Sequence, residues 1–586
     1  MFCPKQYCLI KALLCAATVI CLQGCGFKNS KSETIRIRWA HDPENLDPMR
    51  MPNQAATDAN NLLGLSLLQV DVSRQAYAPA LAEALPAVQL VGDSLMRLDY
   101  RIRVAATWDD GRPVLARDVA FSLKLMFCPG LPNEGIQNQY RFVKDVLVDP
   151  DSPRHLVVVC WGQAPEYAHA TGDFFVQSEA AIDPQGTLRR YSLAALRRTA
   201  GAAPPDSGLQ AVARRYLAAG APLGTWPGCG PYRLTQWKRN RYLRFERKPT
   251  WWADQLRPAP FVLRARPPRL DFSIIADAAT ATLALQSGEL DVYPQVTARD
   301  FARLRTSSAA RVGLRFYTAL SHNVLTAGFN TRRPELADAL TRQALSRCFD
   351  AAGLLRATQL GEGQRTVGIV SPADRINYND SLTLIPFDLR GAAALLRRAG
   401  WRRAIGAAGG WHRPGARATS QRLQLRVRYR TGEELYATVA LQFRAAAAEL
   451  GIPVLLLPTE SAAFSQALQD GDFDVYLRML KGNPFVFNFT PILHTLGVGV
   501  GNTTGFSSPA ADRLIEAIAR ADNHARRARL LHCFQALMQQ EAPLVPLFFL
   551  PTRVAAAQDL TGLHVNPLKP GYSAATIERA AGAGAR

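Results

Sequence analysis

Three observations in the sequence predict a mixed α/β fold. Residues 96–103 alternate apolar and charged side chains with the period of a half-buried strand. The turn-forming segment Trp-Asp-Asp-Gly-Arg-Pro follows at residues 108–113, and Asp118 then stands in the first turn of an amphipathic helix. The chain of 586 residues, 48% of them hydrophobic, is long enough for a large core and for more than two domains.

The first 25 residues have the layout of a secretory signal that ends in a lipidation site. Lys5 and Lys11 precede an apolar run at residues 12–22, and the segment Leu-Gln-Gly-Cys ends at Cys25. The run is well short of the roughly 20 residues that a membrane-spanning helix needs. We therefore expect cleavage before Cys25, a lipid on its thiol, and a lipid-anchored protein on the periplasmic side of the inner membrane or on the cell surface. The alternative is ordinary signal cleavage, with Cys25 buried or paired.

The body of the protein keeps an odd set of scattered cysteines without the spacing of metal ligands: Cys128, Cys160, Cys229, Cys348 and Cys533. An odd set cannot be fully paired. We interpret them mainly as small buried hydrophobic residues, with at most one or two disulfides whose pairing the sequence leaves open.

The formal charge of +21 comes overwhelmingly from arginine. A nucleic-acid surface would concentrate basic residues in one stripe with aromatic residues between them, whereas here arginine is spread through every predicted element. We therefore expect no nucleic-acid partner, and attribute the charge to genome bias with a contribution from anionic lipid. An anionic ligand remains possible, because a cleft rich in arginine attracts carboxylates and phosphates.

The predicted elements of the first half follow the tether in order. A strand at Thr34–Ala40 leads into a loop with the sequence Pro-Glu-Asn-Leu-Asp-Pro at residues 43–48. Glycines on both sides of Cys229, in the turn Gly-Cys-Gly-Pro-Tyr, indicate a tight backbone approach. Gly288 is expected to end a helix as its C-cap before a buried strand.

The second half alternates between helices and strands. The helix at Leu336–Phe349 has one apolar face, and Arg342 within it is expected to be a salt-bridging scaffold residue. The remaining predicted elements are a helix at Asp388–Trp401, a loop at Arg402–Ser420, a strand at Leu423–Tyr429, a helix at Glu433–Leu450, a strand at Ile452–Leu457 and a closing helix around Asp512–Ala521.

Taken in order from about Arg36 to Arg553, these blocks resemble the family 5 bacterial extracellular solute-binding proteins. These are the oligopeptide, dipeptide and nickel receptors of ABC importers. The resemblance implies a two-lobe periplasmic-binding-protein type II fold with an extra subdomain in the N-terminal lobe and a central cleft. The implied division is a signal peptide at 1–24, a lipidated tether at 25–33, lobe I at 34–70, 186–322 and 549–586, an extra subdomain of lobe I at 71–185, and lobe II at 323–548.

The resemblance implies a receptor that captures a peptide or other polar small solute and delivers it to ABC permease subunits. We expect a monomer that binds its ligand without covalent chemistry. The alternative is a surface lipoprotein adhesin or signalling receptor that keeps the fold with a degenerate cleft.

The segment after the predicted strand near Phe473 departs from the peptide receptors. They carry Gly-Trp-x-x-Asp-Tyr there, and the carboxylate takes the peptide's ammonium group. Here Asn483 stands in place of that Asp, and Arg478 and Lys481 nearby would repel an ammonium. This favours a blocked peptide, an anionic solute or another polar solute. The candidate ligand-binding residues are Asn53, Gln54, Asn330, Arg478, Asn483 and Asn502.

No motif for catalysis or for a cofactor is present in the sequence. It contains no Gly-x-Ser-x-Gly elbow, phosphate loop or His-Glu-x-x-His helix. Asp109 and Asp110 are typical of solvated turn formers. His41, His494 and His532 are isolated in sequence, so we expect no metal site, no cofactor and no enzymatic activity; a nickel role is an open alternative without support in the sequence.

Overall fold

The computed structural model describes residues 33–50, 53–199, 207–218, 226–404, 409–414, 420–521 and 523–580. The predicted signal peptide and Cys25 lie outside the described residues. The strands are β1 Thr34–Trp39, β2 Leu68–Asp71, β3 Ala76–Pro79, β4 Ala87–Val91, β5 Leu95–Arg101, β6 Val143–Val148, β7 His155–Trp161, β8 Tyr232–Lys238, β9 Tyr242–Arg247, β10 Arg269–Ile274, β11 Val292–Pro294, β12 Leu314–Phe329, β13 Gln364–Arg365, β14 Arg402–Ala404, β15 Gly410–Pro414, β16 Ser420–Arg422, β17 Leu425–Arg430, β18 Val454–Thr459, β19 Val475–Lys481, β20 Leu544–Ala557, β21 Leu560–Thr561 and β22 Glu578–Arg579.

The helices alternate with these strands. They are α1 Gln54–Leu63, α2 Ala116–Leu125, α3 Glu134–Gln139, α4 Tyr167–Ala170, α5 Glu179–Ile182, α6 Leu193–Thr199, α7 Ser207–Ala218, α8 Ala278–Gln286, α9 Ala298–Thr306, α10 Ser308–Gly313, α11 Ala339–Ser346, α12 Ala351–Gln359, α13 Leu389–Arg398, α14 Glu434–Glu449, α15 Ser461–Asp470, α16 Thr490–Leu493, α17 Pro509–Ala519 and α18 His524–Glu541. The prediction of a mixed α/β fold is confirmed.

A mixed sheet of eleven strands runs through the described part of the molecule. Its order is β18-β17-β19-β12-β20-β11-β1-β10-β9-β8, with β13 paired to β20. The long strands β12 and β20 pair antiparallel, from Leu314 opposite Ala557 to Gly328 opposite Leu544, with irregularities at Leu320/Val324 and Leu325/Thr326. These two strands join the two ends of the sheet.

The hydrophobic core is divided along these strands. Buried residues at positions 35–304 and 554–577 pack on one side, in a body that we call lobe I. Buried residues at positions 325–548 pack on the other side, in lobe II. The finer domain boundaries expected from the sequence stay a prediction.

A separate four-stranded sheet, β4-β5-β7-β6, carries the strand–turn–helix segment from which the fold class was predicted. Leu115 at the N-cap of α2 has no side-chain acceptor, and the Asp118 carboxylate takes over part of the capping. It accepts from the backbone N–H groups of Leu115 (2.8 Å) and Glu179 (3.0 Å). Burial raises the pKa of Asp118 in spite of these hydrogen bonds.

The Gly-Cys-Gly turn confirms the predicted close backbone approach. A Cβ added to Gly230 would lie 2.6 Å from the carbonyl oxygen of Leu62. The carbonyl oxygen of Cys229 accepts from the indole N–H groups of Trp251 and Trp252, both at 3.0 Å. The turn therefore packs the C-terminal end of α1 closely against the start of β8 in the large sheet.

Two further predictions are tested by the structure. The loop predicted at 402–420 is wrong, since its described residues include strands of a small sheet, β14-β15-β16. The buried Trp411, whose indole donates to the Leu450 carbonyl at 2.8 Å, holds this sheet against α14. The five cysteines in the described residues are free, and all of them are buried except Cys533, so the interpretation as buried hydrophobic residues is confirmed for four of the five.

Candidate functional site

A cavity of about 1090 Å³, the interlobe cavity, lies between the two lobes. Gln54, Asp277 and Lys569 line it from lobe I, and Glu434 and Lys481 from lobe II. Its floor is formed by β12 and β20 near the irregular part of their pairing. α1, α8, α9 and α14 begin along its walls, so the positive ends of four helices border it.

A second cavity, of about 870 Å³, is the aromatic cavity. Phe464, Phe487 and Phe489 line it, and so do Met479 and Lys481, which also line the interlobe cavity. Its charged lining consists of Arg332, Arg430, Arg478, Lys481 and Asp374. The lining is therefore net positive.

The structure brings three of the predicted site residues together in the aromatic cavity, the exposed Arg478 and Asn483 and the buried Asn502. The Asn483 side-chain oxygen accepts from the backbone N–H of Phe485 at 2.9 Å, which shapes the loop after β19. The Phe485 ring packs against Tyr77 of lobe I, with 4.9 Å between ring centroids. This loop is therefore a direct contact between the lobes.

Asn53 and Gln54 lie at the start of α1. Asn53 caps the helix, since its side-chain oxygen accepts from Ala56 N–H at 3.0 Å and its amide donates to the Asp42 carbonyl at 3.0 Å. Gln54 lines the interlobe cavity, and its amide donates to Asp58 at 2.8 Å. Of these two residues, Gln54 is the one on the cavity wall.

Asn330 and Asn502 are 2% and 3% exposed and have their hydrogen bonds filled by the protein. The Asn330 amide donates to the carbonyl groups of Gly471 (3.1 Å) and Phe473 (3.2 Å). The Asn502 amide donates to those of His494 (3.1 Å) and Phe506 (2.8 Å), although the residue borders the aromatic cavity. Their observed contacts are structural. Cys25 lies outside the described residues.

The basic residues of the interlobe cavity differ in how they are neutralised. Arg299 pairs with Glu434 (3.6 Å), Arg303 with Asp300 (2.8 Å) and Arg553 with Glu362 (2.7 Å). Lys481 and Lys569 line the same cavity without an ion pair to any described acidic residue. The pKa of Lys569 is lowered to about 8. The larger cause is burial, and the smaller cause is the positive charge of Lys481. Two ammonium groups from opposite lobes thus face one cavity.

Sequence reasoning missed Lys569 altogether. Its surroundings, Leu568-Lys569-Pro570-Gly571, have only the composition of a turn, and the lysine is far from Lys481 along the chain. Its place at the cavity depends on the packing of the C-terminal segment onto lobe I. No local pattern in the sequence signals that packing.

Asp58, behind Gln54, makes stability depend on pH. Burial raises the pKa of Asp58 to about 7. The folded state therefore holds a proton that the unfolded state releases above about pH 4, so the free energy of unfolding falls as pH rises toward 7 and then levels off. We expect Asp58→Asn to reduce the loss of stability between pH 5 and pH 8 by about 2 kcal/mol, measured by urea unfolding. Asp93→Asn, at an exposed turn, is the control and should leave the loss unchanged; an equal slope in all three proteins would contradict the prediction.

Within the described ranges, no helix is long and apolar enough to cross a membrane. The same residues contain no group of three or more histidine, cysteine, aspartate or glutamate side chains arranged to hold a metal ion.

Comparison with known proteins identifies the family. A sequence model of "Bacterial extracellular solute-binding proteins, family 5 Middle" matches residues 76–490. The chain is 24% identical over 570 residues to probable di/tripeptide-binding protein 5 of Pseudomonas aeruginosa (strain UCBPP-PA14), and the match covers 93% of this chain and 96% of that protein.

The fold is shared with solved structures. The oligopeptide-binding protein AppA from Bacillus subtilis, in complex with a nonapeptide, superposes with a TM-score of 0.71 at 17% identity, over 93% of this chain and 99% of that chain. The periplasmic EDTA-binding protein EppA superposes with a TM-score of 0.75 at 18% identity, over 93% and 96%. The family match spans more than half of the sequence, and the chain therefore belongs to the family 5 bacterial extracellular solute-binding proteins of ABC importers.

Proposed function

We propose that this protein is the lipid-anchored substrate-binding component of an ABC importer. It captures a peptide or other polar small solute between its lobes and delivers it to the membrane permease. The observation that carries the proposal is the interlobe cavity of about 1090 Å³, which both lobes line and which the paired strands β12 and β20 cross. Its volume is just above the range of roughly 300–1,000 Å³ that is common for small-molecule sites.

Solute binding is linked to the relative position of the two lobes, because each lobe forms one wall of the cavity. A solute that contacts Gln54 on lobe I and Lys481 on lobe II gains contacts only when the walls face each other. Such a solute stabilises that arrangement by its difference in affinity for the two states. The permease then recognises the arrangement, and no covalent step or cofactor is needed.

The solute chemistry follows from what surrounds the loop after β19. Asn483 and Arg478 line the adjoining aromatic cavity, where they offer a neutral amide and a positive charge, and the positively charged Lys481 lines both cavities. This favours a solute without a free ammonium group at this position. The names of the related proteins include di/tripeptide-binding, oligopeptide-binding and EDTA-binding, so both peptides and polyanions fit the proposal.

The cellular setting is part of the proposal. Lipidation of Cys25 would hold the folded body at a membrane through the short tether that follows it. The protein would act as a monomer on the exported side, with permease subunits as its protein partners and without nucleic acid.

One mass-spectrometric experiment tests solute and anchor together. The full chain is purified in detergent, its intact mass is measured, and the small molecules released by denaturation are identified. We expect a diacylglycerol-modified mass starting at Cys25, a recovered polar solute, and a Tm that falls on stripping and rises again when the solute is returned.

Each outcome of this experiment has a clear meaning. Free short peptides would contradict the argument from Asn483 while supporting the receptor. If no solute is recovered and no solute pool raises the Tm, capture is refuted, and the lipoprotein adhesin or signalling receptor takes its place. An unmodified Cys25 would refute the anchor alone.

A further inference from the structure

Resting on the proposed function, we infer that the solute carries an anionic group, a carboxylate or a phosphate, which is held between Lys481 of lobe II and Lys569 of lobe I. The two lysines line the same cavity from opposite walls. The sequence does not indicate that these two lysines share a cavity, because 88 positions separate them.

Lys481 is held in place by the backbone of the large sheet. It is the last residue of β19 and lies opposite Asn323 of β12. The next residue, Gly482, donates its N–H to the His322 carbonyl at 2.8 Å. The strand end is thus fixed on both sides of the lysine, and only the side chain is free to reorient.

Lys569 is presented by an equally well-fixed loop. Asn566 N–H donates to the Gly571 carbonyl at 3.0 Å, and Leu568 N–H donates to the Asn566 side-chain oxygen at 2.9 Å. Leu568 is 7% exposed and anchors the loop. Gly571 packs so closely on Thr552 of β20 that an added Cβ would lie 2.5 Å from the threonine methyl group. The backbone that carries Lys569 is therefore fixed at the cavity wall before any ligand arrives.

The acidic residues around the cavity are already engaged elsewhere. Asp277 caps α8 by accepting from Thr280 N–H at 2.7 Å. Asp300 pairs with Arg303 (2.8 Å), Glu433 with Arg430 (2.5 Å), and Glu434 with Arg299 (3.6 Å). None of these is paired with Lys481 or Lys569 among the described ion pairs.

Two ammonium groups facing one cavity repel each other across the cleft. The charge of Lys481 contributes to the lowered pKa of Lys569, which reports this repulsion. An anion between them removes the repulsion and forms charge-assisted hydrogen bonds to both lobes at once. An anion that binds both lysines therefore also stabilises the arrangement in which the two lobes lie close together.

The test uses chemically matched probes on the solute-stripped full chain in detergent. Acetyl-trialanine has a carboxylate and no ammonium, trialanine amide has an ammonium and no carboxylate, and sodium sulfate supplies a bare dianion. Ionic strength is held constant with sodium chloride, and binding is measured by calorimetry and by the rise in Tm. We expect acetyl-trialanine and sulfate to bind and trialanine amide to fail.

Charge-removing variants locate the anion. Lys481→Gln and Lys569→Gln should each weaken binding of the anionic probes roughly tenfold or more. Lys569→Arg should restore most of the affinity. Lys238→Gln, at the exposed end of β8, is the matched control and should bind as the wild type does. Equal affinity in all of these proteins, or better binding of trialanine amide, would overturn the inference.

Failure here is distinguishable from failure of the proposed function. If the native solute copurifies equally with the wild type and with the Lys481→Gln/Lys569→Gln double variant, the receptor stands and the lysine pair is not its anion site. If no solute copurifies with any variant and no probe raises any Tm, capture itself fails.

Discussion

Gly230→Ala is expected to destabilise the protein by about 3 kcal/mol. The added Cβ would lie 2.6 Å from the Leu62 carbonyl oxygen and 2.8 Å from the Gly64 nitrogen. These neighbours are backbone atoms at the end of α1, so they cannot move aside as a flexible side chain can. The helix that presents Gln54 to the interlobe cavity would shift with them. Urea unfolding measures the loss of stability, and titration with the recovered solute measures the loss of affinity.

Gly313→Ala is the matched control for this substitution. A Cβ at Gly313 meets no atom within 4 Å, so the change in the free energy of unfolding should be within about 0.5 kcal/mol of zero. If both variants were equally stable, the close approach of the Gly-Cys-Gly turn to α1 would be refuted.

Arg342→Ala is expected to cost roughly 3–4 kcal/mol of stability. The guanidinium group is buried and donates to the carbonyl groups of Glu541 (2.9 and 2.5 Å), Leu336 (2.8 Å) and Ala337 (2.7 Å). It also pairs with the Glu541 carboxylate at 3.5 Å. Truncation would remove these donors from the carbonyl oxygen of Glu541 at the end of α18 and from those of Leu336 and Ala337 before α11. Burial lowers the pKa of this arginine.

Two companion variants separate geometry from charge at this site. Arg342→Lys keeps the charge but not the planar fork, so it should lie between the wild type and Arg342→Ala in urea unfolding. Arg390→Ala, on the exposed face of α13, should change stability by less than about 0.5 kcal/mol. A stable Arg342→Ala would mean that water replaces the guanidinium at these carbonyl groups.

Local patterns in the sequence predicted local structure well. The alternation near Tyr100 became β5, and the acidic residue Asp118 does stand at the start of α2. The small sheet around Trp411 was not predicted, because the segment is rich in glycine and arginine, a composition typical of loops. The contact that holds Trp411 in place is with Leu450, which is distant in sequence. The order of the large sheet depends on such distant pairings throughout.

The candidate site was predicted only where the family motif covers it. Arg478 and Asn483 do line a cavity, since they lie in and just after the strand β19 that the motif marks. Asn330 and Asn502 turned out to be bound by the surrounding backbone, which residue type alone cannot reveal. Lys569 reaches the interlobe cavity through tertiary packing and carries no local signal.

The position of β20 in the large sheet has a consequence for biosynthesis. It is the last long strand to be made, yet it lies between β12 and β11, in the middle of the sheet. During synthesis from the N-terminus, the facing edges of β12 and β11 therefore stay unpaired until residues 544–557 have been made. Until then the core of lobe I also lacks Val554 and Ala556. Lobe II also waits for this strand, because Val545, Leu547 and Phe548 belong to its core, so neither lobe is complete until almost the whole chain has been made. That delay would suit the export proposed above, in which the chain passes through a secretion channel before it folds.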